Sequence, residues 1–145
     1  MFDITKLEIE ETGKYHVTDA KGNPQYVDAA ETIPVTISLI SPGTKAASKA
    51  QFERDEARSA RVLGSMAGKK SKRTEIDEIN ERAEFLNKIT TSLDGFDYPG
   101  GALALYKNLK LGHIAEGVEK YFADRGNFSA ESAQTSKHTS DTQPG

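Results

Sequence analysis

The side chains able to do chemistry in this 145-residue chain are few and scattered. His113 and Glu116 stand three apart in a segment of helical periodicity, a spacing that can bring two ligands to one metal. The carboxylate-rich partner helices of a two-metal bundle are missing, so an ordinary surface histidine is the preferred reading. Asp94 and Asp97 lie among glycines, without the alternating oxygen ligands and distal Glu of a calcium loop. Pro99-Gly100-Gly101 lacks the following Lys-Ser/Thr of a phosphate loop. His16 falls in a predicted hairpin and His138 in a polar tail, so no base stands beside a nucleophile or an orienting acid. With no Cys, disulfides, thiolate catalysis, thiolate zinc and iron-sulfur clusters are excluded. No catalytic, metal or cofactor site is expected, and an enzyme is the least favoured class. One basic run, Lys69, Lys70, Lys72 and Arg73, has the charge to draw nucleic acid. No aromatics interleave it and the net charge is -3, which favours a solvated linker between helices.

The elements that would position these residues follow from patterning. Apolar residues make up 36% and charged residues 28% of the chain, the balance of a mildly acidic, soluble protein with a modest core. The length suits one α+β domain over residues 1–128, β-rich over 1–40 and helical over 44–128. Residues 129–145 hold no apolar side chain larger than alanine and are expected to be a disordered tail. The acidic start has no basic-then-apolar signal pattern and no run spans a membrane, so the protein is expected to act where it is made.

Residues 74–93 form the clearest amphipathic helix, with Ile76, Ile79, Ala83, Leu86 and Ile89 on one side and Phe85 and Leu93 widening the stripe. A short helical turn and edge strand are expected over residues 2–11. Residues 14–18 and 25–28 read as a hairpin around residues 19–24, where Gly22 and Asn23 can take positive φ. Residues 33–40 are the strongest strand, with Ile33, Val35, Ile37 and Leu39 on one face. After Ser41-Pro42-Gly43-Thr44, an alanine-rich helix runs from residue 45 to about 63, capped by Ser41 or Thr44. Two more helices are expected over residues 102–109 and 111–124, joined to the previous one by an aromatic loop.

Three stretches carry a family resemblance: VTISLISPGTKAASKAQFERDEAR from Val35, EFLNKITTSLDGFDY from Glu84, and IAEGVEKYFADRGNF from Ile114. Together they resemble the tail assembly chaperones of long-tailed, siphovirus-type bacteriophages. In that family a strand leads through a Pro-Gly or Ser-containing turn into a charged helix. A helix with a Phe-Leu pair follows, then an aromatic loop and a last helix closing on Asp, Asn and Phe. The matching positions here are Phe85 and Leu86, Phe96 and Tyr98, and Asp124, Asn127 and Phe128. The chain has no Trp, which such proteins often carry near the aromatic loop or last helix.

The resemblance implies a non-enzymatic factor of the host bacterial cytoplasm. It would bind the tape-measure protein, with the major tail protein as a further candidate partner, keeping the long helical tape-measure chain soluble while the tail tube polymerises. In the family a longer form often arises by ribosomal frameshifting, and residues 129–145 would serve as its tether. Within this reading the partner-binding surface lies between the last two helices and the aromatic loop: Phe96, Tyr98, Leu105, Tyr106, Ile114, Val118, Tyr121, Phe122 and Phe128. A chain this poor in apolar residues needs most of its large ones inside, and any left exposed would be the binding patch. The alternatives are a minor virion structural protein of the tail or head-to-tail junction and, on the basic run alone, a nucleic-acid-binding or host-defence-inhibiting factor.

Overall fold

The strongest alternating run becomes the middle of a sheet. In a computed structural model describing residues 1–66 and 75–130, β1 (Thr12–His16) and β3 (Thr90–Asp94) flank β2 (Thr36–Ile40), all antiparallel. Tyr15 and Leu93 both stand opposite Ile37, so one face of the sheet gathers apolar side chains from every strand. Ile37 and Leu39 are fully buried there. Thr36 and Ser38 point to the other face, opposite Asp94 and Ser92. The register shifts between Ser38 and Leu39, leaving Thr91 as the extra residue of a bulge.

Several expectations change at this point. The expected hairpin of residues 14–18 with 25–28 is reduced to its tip, an antiparallel bridge of Thr18 with Pro24 and a Gln25 N–H bond to the Val17 carbonyl at 2.9 Å, while β1 pairs with β2 instead. The intervening chain forms two small loops, each closed by an aspartate. Asp19 accepts hydrogen bonds from the backbone N–H groups of Lys21 and Asn23, both at 2.9 Å, and Gly22 takes φ 90° in that turn. Asp28 accepts from the Ile33 N–H at 2.9 Å and the Thr32 N–H at 3.0 Å. The predicted strand over 33–40 shortens because Pro34 has no N–H to give and Val35 donates to Gln25, at 3.0 Å. Ile33, expected on the core face, is exposed.

The helical half begins with α1 (Lys45–Met66), where Thr44 Oγ1 caps by accepting the Ala47 N–H at 3.1 Å. Next comes α2 (Glu75–Ile89), which buries Ala83, Phe85, Leu86 and Ile89 while Ile76 stays outside. The helix does not run on to residue 93. Thr90 and Thr91 are β-branched, and the chain passes straight from Ile89 into β3, completing the second edge of β2. A strand therefore lies inside the stretch expected to be helical. Then α3 (Gly101–Lys107) and α4 (Gly112–Ala123) follow, separated by a 3-10 turn. Short 3-10 turns also occupy Ile4–Leu7 and Arg125–Phe128. The core joins the inner face of the sheet to α2, α3, α4 and Phe128, with Ala47 and Ala50 of α1 at its margin. The expected disordered tail lies outside the described residues from residue 131 onward, as does the basic run at 69–73.

Close packing of α4 on β1 depends on Gly117. A Cβ there would overlap the hydroxyl of the buried Tyr15. Gly117→Ala is therefore expected to destabilise the protein by about 1–3 kcal/mol, read as a lower urea midpoint at unchanged m. An unchanged midpoint would mean that this contact relaxes freely.

Asp94 gives a second expectation. Partial burial opposes its charge, but donors from Ser38 at 2.5 Å, Ser92 at 2.8 Å and Thr36 at 3.1 Å, with the Lys14 ammonium, outweigh it and hold the carboxyl below its usual range. A folded pKa below the unfolded one means stability that is complete above the unfolded carboxylate value, about 4, and is lost as pH falls through the folded value. Asp94→Asn is expected to flatten the acid limb of stability against pH, measured by urea unfolding at successive pH values. A limb of unchanged slope would refute it.

Candidate functional site

Five aromatic side chains form one edge-to-face chain through the molecule. Tyr15 meets Tyr121 at 5.9 Å between ring centroids, Tyr121 meets Phe128 at 5.3 Å, Phe128 meets Phe122 at 6.4 Å, and Phe122 meets Phe85 at 5.5 Å. At its far end the Arg54 guanidinium lies over the Phe85 ring, 5.0 Å from the centroid. The chain ties β1, the C-terminal 3-10 turn, α4, α2 and α1 into one packed unit.

That packing relocates the expected partner-binding residues. Leu105, Tyr106, Ile114, Val118, Phe122 and Phe128 are buried, and Phe96, Tyr98 and Tyr121 are half-buried against the same core. The region between the last two helices and the aromatic loop is interior rather than surface, because these are the large side chains available to fill it. Tyr106 shows how completely. Thr90 Oγ1 donates to the Leu86 carbonyl at 2.7 Å, so the Tyr106 hydroxyl must be the donor in its own 2.7 Å bond to Thr90. Tyr98 is fixed from outside, accepting from the Asn108 side chain at 2.8 Å.

His113 is half-buried and Glu116 exposed, both on α4. Among the described residues, no three His, Cys, Asp or Glu side chains gather as a metal site. His16 donates from Nε2 to the Gln25 carbonyl at 2.8 Å and sets its ring edge-on to Tyr26, a structural role in the loop. Also among the described residues, no helix is long and apolar enough to cross a membrane.

Large apolar side chains left outside lie elsewhere, at Phe2, Ile4 and Leu7 near the start, at Leu109, and on α1. Phe52 and Leu63 of α1 are 62% and 65% exposed. They stand eleven residues apart on the helix, three turns and about 16 Å along one face. Arg54, Arg58 and Arg61 follow the i, i+4, i+7 spacing on the opposite side of α1, toward α2. Helices α1 and α2 are pinned together by Arg61 to Glu81, with Nη2 at 2.7 Å, and by Lys88 to Glu53 at 3.1 Å, and α1 is pinned to α4 by Arg54 to Glu119 at 2.8 Å. A motif search passes over these arginines because no catalytic pattern contains them, although their spacing already marks one helix face. A second cleft, of about 530 Å³, opens by the outer face of the sheet between Lys14, Asp94 and Tyr121.

This arrangement is an α+β protein with a three-stranded antiparallel sheet on a helical layer. Comparison with models of known families, with curated proteins and with solved structures finds no match for this chain.

Burial pushes the Tyr106 phenol up to about 12. The neutral phenol therefore supports the fold fully below the unfolded value of about 10, and that support is lost as pH rises toward the folded one. In an alkaline absorbance titration Tyr106 is expected to ionise late, and Tyr106→Phe should remove that late component. The same substitution is expected to cost about 0.5–1.5 kcal/mol for the lost hydrogen bond. A titration curve identical in wild type and variant would contradict the buried placement.

Proposed function

We propose that this protein is a non-enzymatic tail assembly chaperone of the long-tailed phage kind, acting in the host bacterial cytoplasm. Its partner would be the tape-measure protein, kept soluble until tail-tube subunits enclose it. The class comes from the resemblance of the three sequence stretches, and one observation supports a protein-binding role: the outer face of α1 leaves Phe52 and Leu63 uncovered in a chain with few large apolar residues. Ile76, near the start of α2, is as exposed as Leu63.

A long helical chain with apolar stripes is the natural complement. Its side chains at i, i+3, i+4 and i+7 would meet the two anchors, whose separation of about 16 Å corresponds to three turns of either helix. The surrounding Glu53, Asp55, Glu56 and Lys49 give the face a charged border, which keeps the unbound protein soluble. The binding surface is thus proposed on α1 rather than on the buried residues of α3 and α4. Nothing in this role requires a catalytic group.

The test is co-expression with the tape-measure protein of a long-tailed phage that carries this chain, followed by inspection of purified phage particles. Wild type is expected to keep that protein soluble, to co-purify with it and to be absent from particles. Each apolar anchor contributes about 1.5–3 kcal/mol when buried, so the Phe52→Ser, Leu63→Ser double variant should bind on the order of a hundredfold more weakly at an unchanged melting temperature. No rescue by wild type, with the chain present in particles, would overturn the proposal in favour of a virion structural component.

A further inference from the structure

Between α1 and α2, at the foot of α4, lies a cleft of about 350 Å³ whose walls carry Arg54, Arg58, Arg61 and Arg82. A guanidinium stays protonated at any physiological pH, so four fixed positive charges share this space. Three carboxylates, of Glu78, Glu81 and Glu119, line it as well, so the four arginines leave the lining with one net positive charge. The pairing is uneven. Glu119 is taken by Arg54 and Glu81 by Arg61. Among the described residues, Arg58 and Arg82 have no carboxylate at ion-pair distance.

The hydrogen-bond inventory is also incomplete. Arg54 Nε, Arg61 Nη1 and Arg82 Nε are shut off from solvent and meet no acceptor. Buried donors nearly always find partners, and leaving one unpaired costs about 1–3 kcal/mol, more where the group is charged. The unpaired donors belong to both walls, two on α1 and one on α2. An ion that entered the cleft and drew these side chains round it would relieve the excess charge and the missing acceptors together.

We propose that the cleft is a binding site for a phosphate group, with Arg58 and Arg82 as its principal ligands and Arg61 Nη1 completing the set. The tetrahedral oxyanion offers acceptors in several directions at once, as donors arriving from two helices require, whereas a planar carboxylate is satisfied by a single guanidinium fork. The volume is at the lower end of small-ligand pockets and exceeds what one phosphate fills, so a small phosphate monoester fits as well as the free ion. Ile79 supplies an apolar wall for its organic part. The site stands on the side of α1 away from Phe52 and Leu63 and is independent of the tape-measure reading.

Phosphate stabilises most proteins at high concentration by being excluded from their surfaces, so a melting curve would not discriminate. The test is a heteronuclear NMR titration of the full chain that follows the arginine Nε–H signals, with sodium phosphate and with glycerol phosphate, at an ionic strength held constant by chloride. Saturable shifts of the Arg58, Arg61 and Arg82 signals are expected. Arg82→Gln and, separately, the exposed Arg58→Gln should each weaken binding about tenfold or more through loss of a charge-assisted pair. Tighter binding of glycerol phosphate than of phosphate would assign the site to a monoester, and equal binding would assign it to the phosphate group alone. Linear unsaturated shifts, equal shifts with acetate, or saturation unchanged in both variants would overturn the proposal. Two separate variants keep the test decisive if one of them fails to fold.

Discussion

The structure depends on a shortage. With 36% apolar residues and no Trp, and with Phe2, Ile4, Leu7, Phe52 and Leu109 left in water, the chain closes its core with a small set of rings and branched side chains. The edge-to-face row from Tyr15 to Phe85 is the result. Its rings come from β1, α4, the C-terminal turn and α2, so the same contacts that fill volume also fix how the sheet and α2, α4 and the C-terminal turn sit on one another. Gly117 is the counterpart of that row: where Tyr15 comes so close to α4, no side chain has room.

The same shortage explains why α1 differs from the other helices. It contributes Ala47 and Ala50 to the core and lies close along α2, held there by ion pairs more than by apolar bulk. Such a helix has two free choices that a core helix lacks. It can leave Phe52 and Leu63 in water without weakening the interior, and it can line its inner side with arginines where another helix would need leucines. The proposed binding surface and the interior thus draw on opposite sides of α1 and on different large side chains.

What could be read from the sequence was whatever is settled locally. The Thr44 cap, the thin alanine stripe of α1, the apolar face of α4 and the buried pair Ile37 and Leu39 all follow from spacing within one segment. The strand β3 was not legible, because Ile89 and Leu93 keep helical spacing and only the vacant edge of β2, more than fifty residues earlier in the chain, tells Thr90–Asp94 to extend. The partner of β1 was misread for a related reason: residues 25–28 are nearer in sequence, but residues 36–40 offer the longer apolar face. The candidate site shows the limit most clearly. Tyr106 and Phe122 have the pattern of a stripe, and a stripe looks the same whether it meets a partner or the molecule's own core. The arginine cleft needs residues from three helices, which no single-segment pattern contains.

The placement of β3 bears on how the protein is made. Its partner β2 emerges from the ribosome with β1 already available on one side, but the other edge must wait while the whole of α1 and α2 is synthesised. During that interval, several seconds at ordinary translation rates, the central strand carries an unpaired row of N–H and C=O groups beside Ile37 and Leu39. The α1–α2 hairpin, which needs only local contacts, can form and cover the inner face of the half-built sheet. The order of elements along the chain therefore gives the vulnerable strand a temporary shelter before its permanent neighbour arrives.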